Sequence, residues 1–241
     1  MARAHRHFVA GQVWHLTQRC HKKQWLLKFN KDKRRWLYWL FEARRRYGVC
    51  VLNYVVTSNH IHLLVQDQGN DEIARSMQLL SGRTAQEYNP RKSRVGAYRQ
   101  DRYHAAAVQT DDHLSRCLTY IDLNMVRAGV VTTPSEWPYG GYAELLTPPQ
   151  RYGCLNMVAL QRLLGVRNYQ ELLEVRVRSV EQALADSDLE REEIWTVSDA
   201  VGSAAYVQSI QAQLKKSHPR RQVSANRVGD DLRESDAAFQ D

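Results

Sequence analysis

The stretch VCVLNYVVTSNHIHLLVQ, Val49 to Gln66, decides the fold. Its first half, Val49 to Thr57, is rich in β-branched and aromatic residues and reads as a buried strand. Ser58-Asn59 makes a turn and His60 to Gln66 reads as a second strand, close enough to the first to form a hairpin. The period of two puts His60 and His62 on one face, about 7 Å apart at Cα, while Ile61, Leu63 and Val65 point the other way, into the core. Two imidazoles held side by side can bind one divalent metal, because neutral histidine is a common ligand. The plainer reading is a coincidence of polar strand positions. A structural zinc site on this pair alone is excluded, since it needs four ligands and no Cys lies near in sequence.

Outward from the hairpin, Val13 to Thr17 alternates as a strand, with Val13, His15 and Thr17 on one side. Asp32 to Tyr47 carries apolar residues at Leu37, Leu40, Phe41 and Ala43 and a basic face; it reads as a helix capped by Asn30 or Asp32 and stopped by Gly48. Asp71 to Tyr88 is helical and ends at Asn89-Pro90, and Tyr98 to Val108 reads as a further strand region. Asp111-Asp112 then caps a helix from His113 to about Ala128, terminated by Gly129. Strand, helix, strand, strand, helix, strand, helix predicts an α+β fold: a ferredoxin-like antiparallel sheet with helices on one face. Pro134, Pro138, Gly140, Gly141, Pro148 and Pro149 mark a boundary. Beyond it, helical periodicity at Met157 to Leu164, Tyr169 to Leu184 and Ala204 to Leu214 predicts a C-terminal helical extension, residues 149–214, and residues 215–241 read as a disordered tail.

The 241 residues suit one domain plus an extension, or one larger domain. At 43% hydrophobic, the chain can build a core, and no run is long and apolar enough to span a membrane. The basic N-terminus, Met1 to Phe8, lacks the apolar run of a secretory signal. Cys20, Cys50, Cys117 and Cys154 lack a C-x-x-C pairing, which argues against a zinc ribbon or disulfide scaffold and fits a reducing cytosol. The net charge of +8 is uneven: residues 1–50 hold 13 Lys/Arg against 2 Asp/Glu, whereas residues 151–241 hold 12 against 14. Such an excess can be a solvated surface that only aids solubility. Here the basic residues alternate with aromatics (Trp14, Arg19, Lys22, Lys23, Trp25, Lys28, Phe29), and bases stack on aromatic faces while cations track phosphates, so nucleic acid is the favoured partner.

In the last helix, Leu114, Leu118, Ile121, Met125 and Ala128 form the apolar stripe, while Arg116, Tyr120, Asn124 and Arg127 share another face. Tyr120 can be a half-buried aromatic with its hydroxyl in water. It can also be a nucleophile at phosphorus, since a phenolate both attacks and leaves. Free tyrosine has a pKa of about 10, so it needs help at neutral pH, and a metal can neutralise and position the scissile phosphate. Asn124 can offer an amide oxygen as a third ligand, and Arg127 or Arg116 can hold a neighbouring phosphate.

The stretch YVVTSNHIHLLVQ (Tyr54 to Gln66) resembles the histidine-hydrophobic-histidine strand of HUH single-tyrosine transposases, and CLTYIDLNMVRAGVV (Cys117 to Val131) resembles their tyrosine helix. WHLTQRCHKKQ (Trp14 to Gln24) and RQDRYHAAAV (Arg99 to Val108) are similar to segments of the REP-associated tyrosine transposases. The resemblance covers residues 8–148 and implies a catalytic domain over residues 1–148. It implies cutting and rejoining of single-stranded DNA near a hairpin, such as REP-like or transposon-end repeats. Tyr120 would become linked to a 5′-phosphate with release of a 3′-OH, and His60, His62 and Asn124 would hold Mg²⁺ or Mn²⁺. Within that reading His15, Arg19, His21, Arg83, Arg102, His104, Arg116 and Arg127 are candidate DNA contacts. The chain departs from the family at Met125, where proline is usual; methionine is the better helix former, so a straighter helix is expected there. A cytoplasmic, nucleoid-associated bacterial protein is implied, with monomer and homodimer both open. Two rivals remain: a non-catalytic nucleic-acid-binding repressor on the same fold, and a metal-dependent hydrolase that uses water in place of Tyr120. The acidic-leaning C-terminal part is expected to pack on the catalytic domain and restrict access.

Overall fold

The computed structural model describes residues 8–186, 192–217 and 228–229. The first elements are β1 (Val13–Arg19), α1 (Asn30–Tyr47), β2 (Cys50–Val56), β3 (His60–Gln66), α2 (Glu72–Arg91) and β4 (His104–Val108). The strands align β2-β3-β1-β4, every neighbour antiparallel, which is the expected ferredoxin-like α+β plan. β2 and β3 form the expected hairpin, closed where the Thr57 N–H donates to the His60 carbonyl (3.0 Å).

Alternation divides the sheet. Trp14, Leu16 and Gln18 of β1 share a face with Ile61 and Leu63 of β3, which pair beside Gln18 and Leu16. There α1 and α2 pack on one another, and Ser81 of α2 donates to Gln18 (3.1 Å). The opposite face carries His15, Thr17, His62 and Asn53, and α3 (Asp112–Asp122) covers it, the Asn53 amide donating to the Leu118 carbonyl (3.2 Å) and to Asp122 (2.8 Å). The tyrosine helix thus lies across the sheet from the α1–α2 layer.

Several boundaries differ from the sequence reading. Helix α1 begins at Asn30, with Asp32 in its first turn bonded to Arg91, and ends at Gly48, which adopts the left-handed conformation (φ 73°). Helix α2 runs past Asn89 and carries Pro90 in its last turn. The expected strand Tyr98 to Val108 is a strand only from His104, because β1 offers partners from Val13 to Thr17 and the chain before His104 loops out. The helix expected to run unbroken to Ala128 is interrupted at Leu123 (ψ 2°), and Asn124–Arg127 form a separate short turn, α4. Arg127 Nη2 donates to the Tyr120 carbonyl (2.5 Å), the oxygen that in an unbroken helix accepts from residue 124. A side chain inserted in the ladder, and not the residue at 125, therefore sets the bend.

After α4 come α5 (Gly141–Leu146), α6 (Met157–Leu164), α7 (Tyr169–Ala185), α8 (Ile194–Val197), β5 (Ala200–Val201), α9 (Ala204–Ser217) and β6 (Val228–Gly229). β5 adds in parallel to β4 and β6 to β5, so the C-terminal extension continues the sheet, and Trp195, Val207, Ile210 and Leu214 join the same core as Val13 and Leu114. Of the segment expected as a disordered tail, 215–217 belong to α9, and residues 218–227 and 230–241 lie outside the described residues. All four cysteines are buried and unpaired. Among the described residues no helix is long and apolar enough to cross a membrane.

Helix α7 is tied to α3 by a buried ion pair: Arg176 Nη2 donates to Asp122 Oδ2 (2.5 Å), with both side chains 3% exposed or less. Burial pushes the Asp122 carboxyl above its ordinary range, and the contacts with Arg176 and Asn53 oppose that rise. Arg176→Ala strands a carboxylate in the interior and is expected to cost about 3–5 kcal/mol in urea unfolding. Arg167→Ala, which removes a largely exposed partner of Glu171, is expected to leave the urea midpoint almost unchanged. Equal losses in the two variants would contradict the role given to the Arg176–Asp122 pair.

Candidate active site

The register of β1 between β3 and β4 sets His62, Thr17 and His104 in one row across the sheet, with Arg19 beside His60 in the next. Side chains of that face point at α3 and α4. Tyr120, on the third turn of α3, brings its ring centroid to 5.9 Å from His62 and 6.2 Å from His15. One turn later Asn124 Nδ2 lies 3.2 Å from His62 Nε2. The His60 and His62 rings are 5.1 Å apart. The helix and the hairpin, distant in sequence, thus converge on one cavity of about 520 Å³, lined by His60, His62, Tyr120, Asn124, Arg19, Arg102, His104 and Arg127.

The hydrogen bonds define which ring nitrogens carry protons. The Trp195 carbonyl can only accept, so His15 Nδ1, 2.9 Å away, donates to it. A neutral His15 then has its lone pair on Nε2, which faces His62 Nδ1 at 2.9 Å, and His62 Nδ1 must donate. That leaves the His62 lone pair on Nε2, toward Asn124 and the cavity. His60 Nδ1 donates within its own turn, to Asn59 Oδ1 (2.7 Å), with Thr57 Oγ1 at 2.9 Å, which again puts the lone pair on Nε2. Burial pushes His15 down to about 3, helped by His104 and opposed by its bond to Trp195. Burial likewise holds His62 well below the ordinary imidazole value, with His15, His60, Arg127 and Arg19 adding to it. Both rings are therefore neutral at physiological pH.

Tyr120 is only 4% exposed, its ring packed near Trp195 (5.9 Å) with the Arg127 guanidinium carbon 4.1 Å from its centroid. The guanidinium lies over the ring in a cation–π contact. Two imidazoles and an amide form a neutral donor set that would leave a bound divalent ion its full charge. Among the described residues no group of three or more His, Cys, Asp or Glu side chains is arranged to hold a metal, so any site here depends on the Asn124 amide.

The residues singled out as DNA contacts divide into two sets. Arg19, Arg102, His104 and Arg127 line the cavity. The rest do not. His15 is fully buried and out of reach of DNA. His21 lies in the short turn after β1, outside the cavity lining. Arg83 sits on α2, across the sheet, over the Trp39 ring (5.3 Å). Arg116 points away, pairing with Glu192 (3.3 Å). Gln18, Gln100, Asp101, Glu193, Thr196 and Val197 also line the cavity, and no motif in the sequence points to them. The last three bring the C-terminal extension to its rim, as the expected packing of that part requires.

The neutral His15 has a consequence for stability. Below its ordinary value of 6.5 the unfolded chain binds a proton that the folded ring refuses until about pH 3, so folding stability falls as pH drops through that window. The loss expected from His15 between pH 6.5 and 4.5 is about 2 kcal/mol. Urea unfolding of His15→Gln, which cannot titrate, should show a correspondingly shallower decline than the native chain; superimposable pH profiles would contradict the assignment.

Residues 9–124 match the family model described as IS200-like transposase. Among solved structures, the chain is similar to one described as a REP-associated tyrosine transposase bound to a REP hairpin. The TM-score is 0.52 at 17% identity, over 61% of this chain and 87% of that one, a likeness of fold. No curated protein matches in sequence. The matched segment spans β1 through Asn124, a little under half of the chain, and contains the histidine pair, Tyr120 and the amide; over it, the chain is similar to the IS200-like transposases.

Proposed function

We propose that this chain is a transposase that cuts and rejoins single-stranded DNA next to hairpins, with Tyr120 as the nucleophile. The observation that carries the reading is the convergence of the Tyr120 ring, two imidazoles and an amide on one cavity rimmed by Arg19, Arg102 and Arg127. The hairpin preference draws support from the fold-level likeness to a protein solved with a REP hairpin. In the cleavage step Tyr120 Oη attacks phosphorus in line. The Oη–P bond forms, the P–O3′ bond breaks, the phenol loses its proton, and the departing 3′ oxygen gains one. The product is a 5′-phosphotyrosyl link with a free 3′-OH, and the reverse attack by a 3′-OH rejoins a strand.

His60 Nε2 and His62 Nε2 would hold Mg²⁺ or Mn²⁺, and Asn124 would join them by turning its amide to present Oδ1. When bound, such an ion supplies charge neutralisation at the scissile phosphate. The chain's own residues do the remainder. Arg127 lies over the Tyr120 ring and holds it in place, and Arg19 and Arg102 meet flanking phosphates. Burial of the phenol among His62, His15 and Trp195 restricts its ring and limits water.

Incubation of labelled single-stranded hairpin DNA with the protein and Mn²⁺ should yield a covalent adduct on denaturing gels. Tyr120→Phe should abolish it, and His62→Ala should lower its yield by more than about 100-fold, beyond the usual 10- to 100-fold effect of disturbing a ligand's support. Adduct formed by Tyr120→Phe would overturn the assignment. A repressor would bind the same DNA in all three proteins and cleave it in none, and a water-using hydrolase would turn over repeatedly without adduct.

A further inference from the structure

His15 takes no part in the step above, yet it is fully buried and bridges two groups 133 residues apart in sequence: His62 of β3 and the Trp195 carbonyl of α8. We propose that His15 is a positioning residue that fixes the tautomer of His62, with the backbone of the C-terminal extension as its anchor. The proposal rests on the reading of His62 as a metal ligand.

The need for such a device follows from where the two candidate ligands sit. His60 is the first residue of β3, so its Nδ1 finds acceptors in its own turn, Asn59 Oδ1 and Thr57 Oγ1. His62 lies two residues into the strand, beyond reach of that turn, with both flanks occupied by neighbouring strands. Its Nδ1 proton must be accepted by a side chain from the next strand on the same face. His15 is near enough: the rings meet edge to edge, with centroids 5.0 Å apart and 15° between their planes, as an in-plane N–H···N bond requires. Imidazole alone does not decide the matter, because it can accept or donate at either nitrogen. The Trp195 carbonyl removes that freedom, since an acceptor-only oxygen at 2.9 Å demands a proton on His15 Nδ1. The constraint then passes through the neutral His15 ring to His62 and leaves the His62 Nε2 lone pair facing the cavity. An outer partner that orients a ligating histidine in this way usually changes metal affinity 10- to 100-fold. Docking of α8 and the ability of His62 to ligate are therefore linked, although α8 contributes no ligand.

The test is made on metal-free, DNA-free full-length protein. Long-range ¹H–¹⁵N correlation of the imidazoles at pH 7 should show His15 and His62 both protonated on Nδ1. His15→Leu should shift His62 toward the Nε2-protonated form and weaken Mn²⁺ binding, read by electron paramagnetic resonance of the free ion, by about 10- to 100-fold. His15→Gln, whose amide can donate to Trp195 and accept from His62, should keep both the tautomer and the affinity. The proposal is overturned if native His62 carries its proton on Nε2, or if His15→Leu leaves tautomer and affinity unchanged. Should His15→Leu fail to fold, the native spectrum and the Gln variant still decide. Neither readout involves DNA cleavage, so this proposal and the nucleophile assignment of Tyr120 fail separately.

Discussion

A slip of one residue between β3 and β1 would turn His60 and His62 toward α2 and bring Ile61 and Leu63 to the cavity, because side chains alternate with a strict period of two. What prevents the slip is the apolar set on the other face. Trp14 and Leu16 of β1 and Ile61, Leu63 and Val65 of β3 are all buried, and reversing them would expose their apolar surface. The core thus holds the site in place. The pairing of Thr17 with His62 and of Arg19 with His60 is fixed by apolar residues on the sheet face away from the cavity, and the hairpin turn adds the local hydrogen bonds that orient His60.

Onto this frame the chain adds a helix whose bend is as specific as the register. The Arg127 side chain reaches back to the Tyr120 carbonyl, so one residue both opens the helix ahead of Asn124 and lays a cation on the Tyr120 ring. The C-terminal extension closes the arrangement from a third side. It extends the sheet through β5, ties α7 to α3 through Arg176 and Asp122, and delivers the Trp195 carbonyl to His15. Its acidic lean contrasts with the basic first 50 residues, much of whose charge lies on α1, across the sheet from the cavity.

Much of this was legible in the sequence, for identifiable reasons. The hairpin, α1, α6 and α7 follow from periodicity and from turn or cap residues such as Ser58-Asn59 and Gly48, which act locally. The shared face of His60 and His62, and that of Tyr120 and Asn124, follow from strand and helix periods. What failed depended on distant parts of the chain. His15 reads as a polar surface residue until α8 covers it. Arg83 has the charge of a DNA contact, but a helix pattern does not say which sheet face the helix will occupy. Arg116 shares a helical face with Tyr120 yet turns to Glu192. The interruption at Leu123 comes from a side chain four residues on, and the Trp195 contribution is a backbone carbonyl, which leaves no trace in residue type.

The most direct measurement is tryptic mapping of the covalent species that the native chain forms with labelled single-stranded hairpin DNA. The account predicts nucleotide mass on the peptide Cys117–Arg127, whose single tyrosine is Tyr120, joined through a 5′-phosphate. Label on any other peptide, or attachment through a 3′-phosphate, would contradict it.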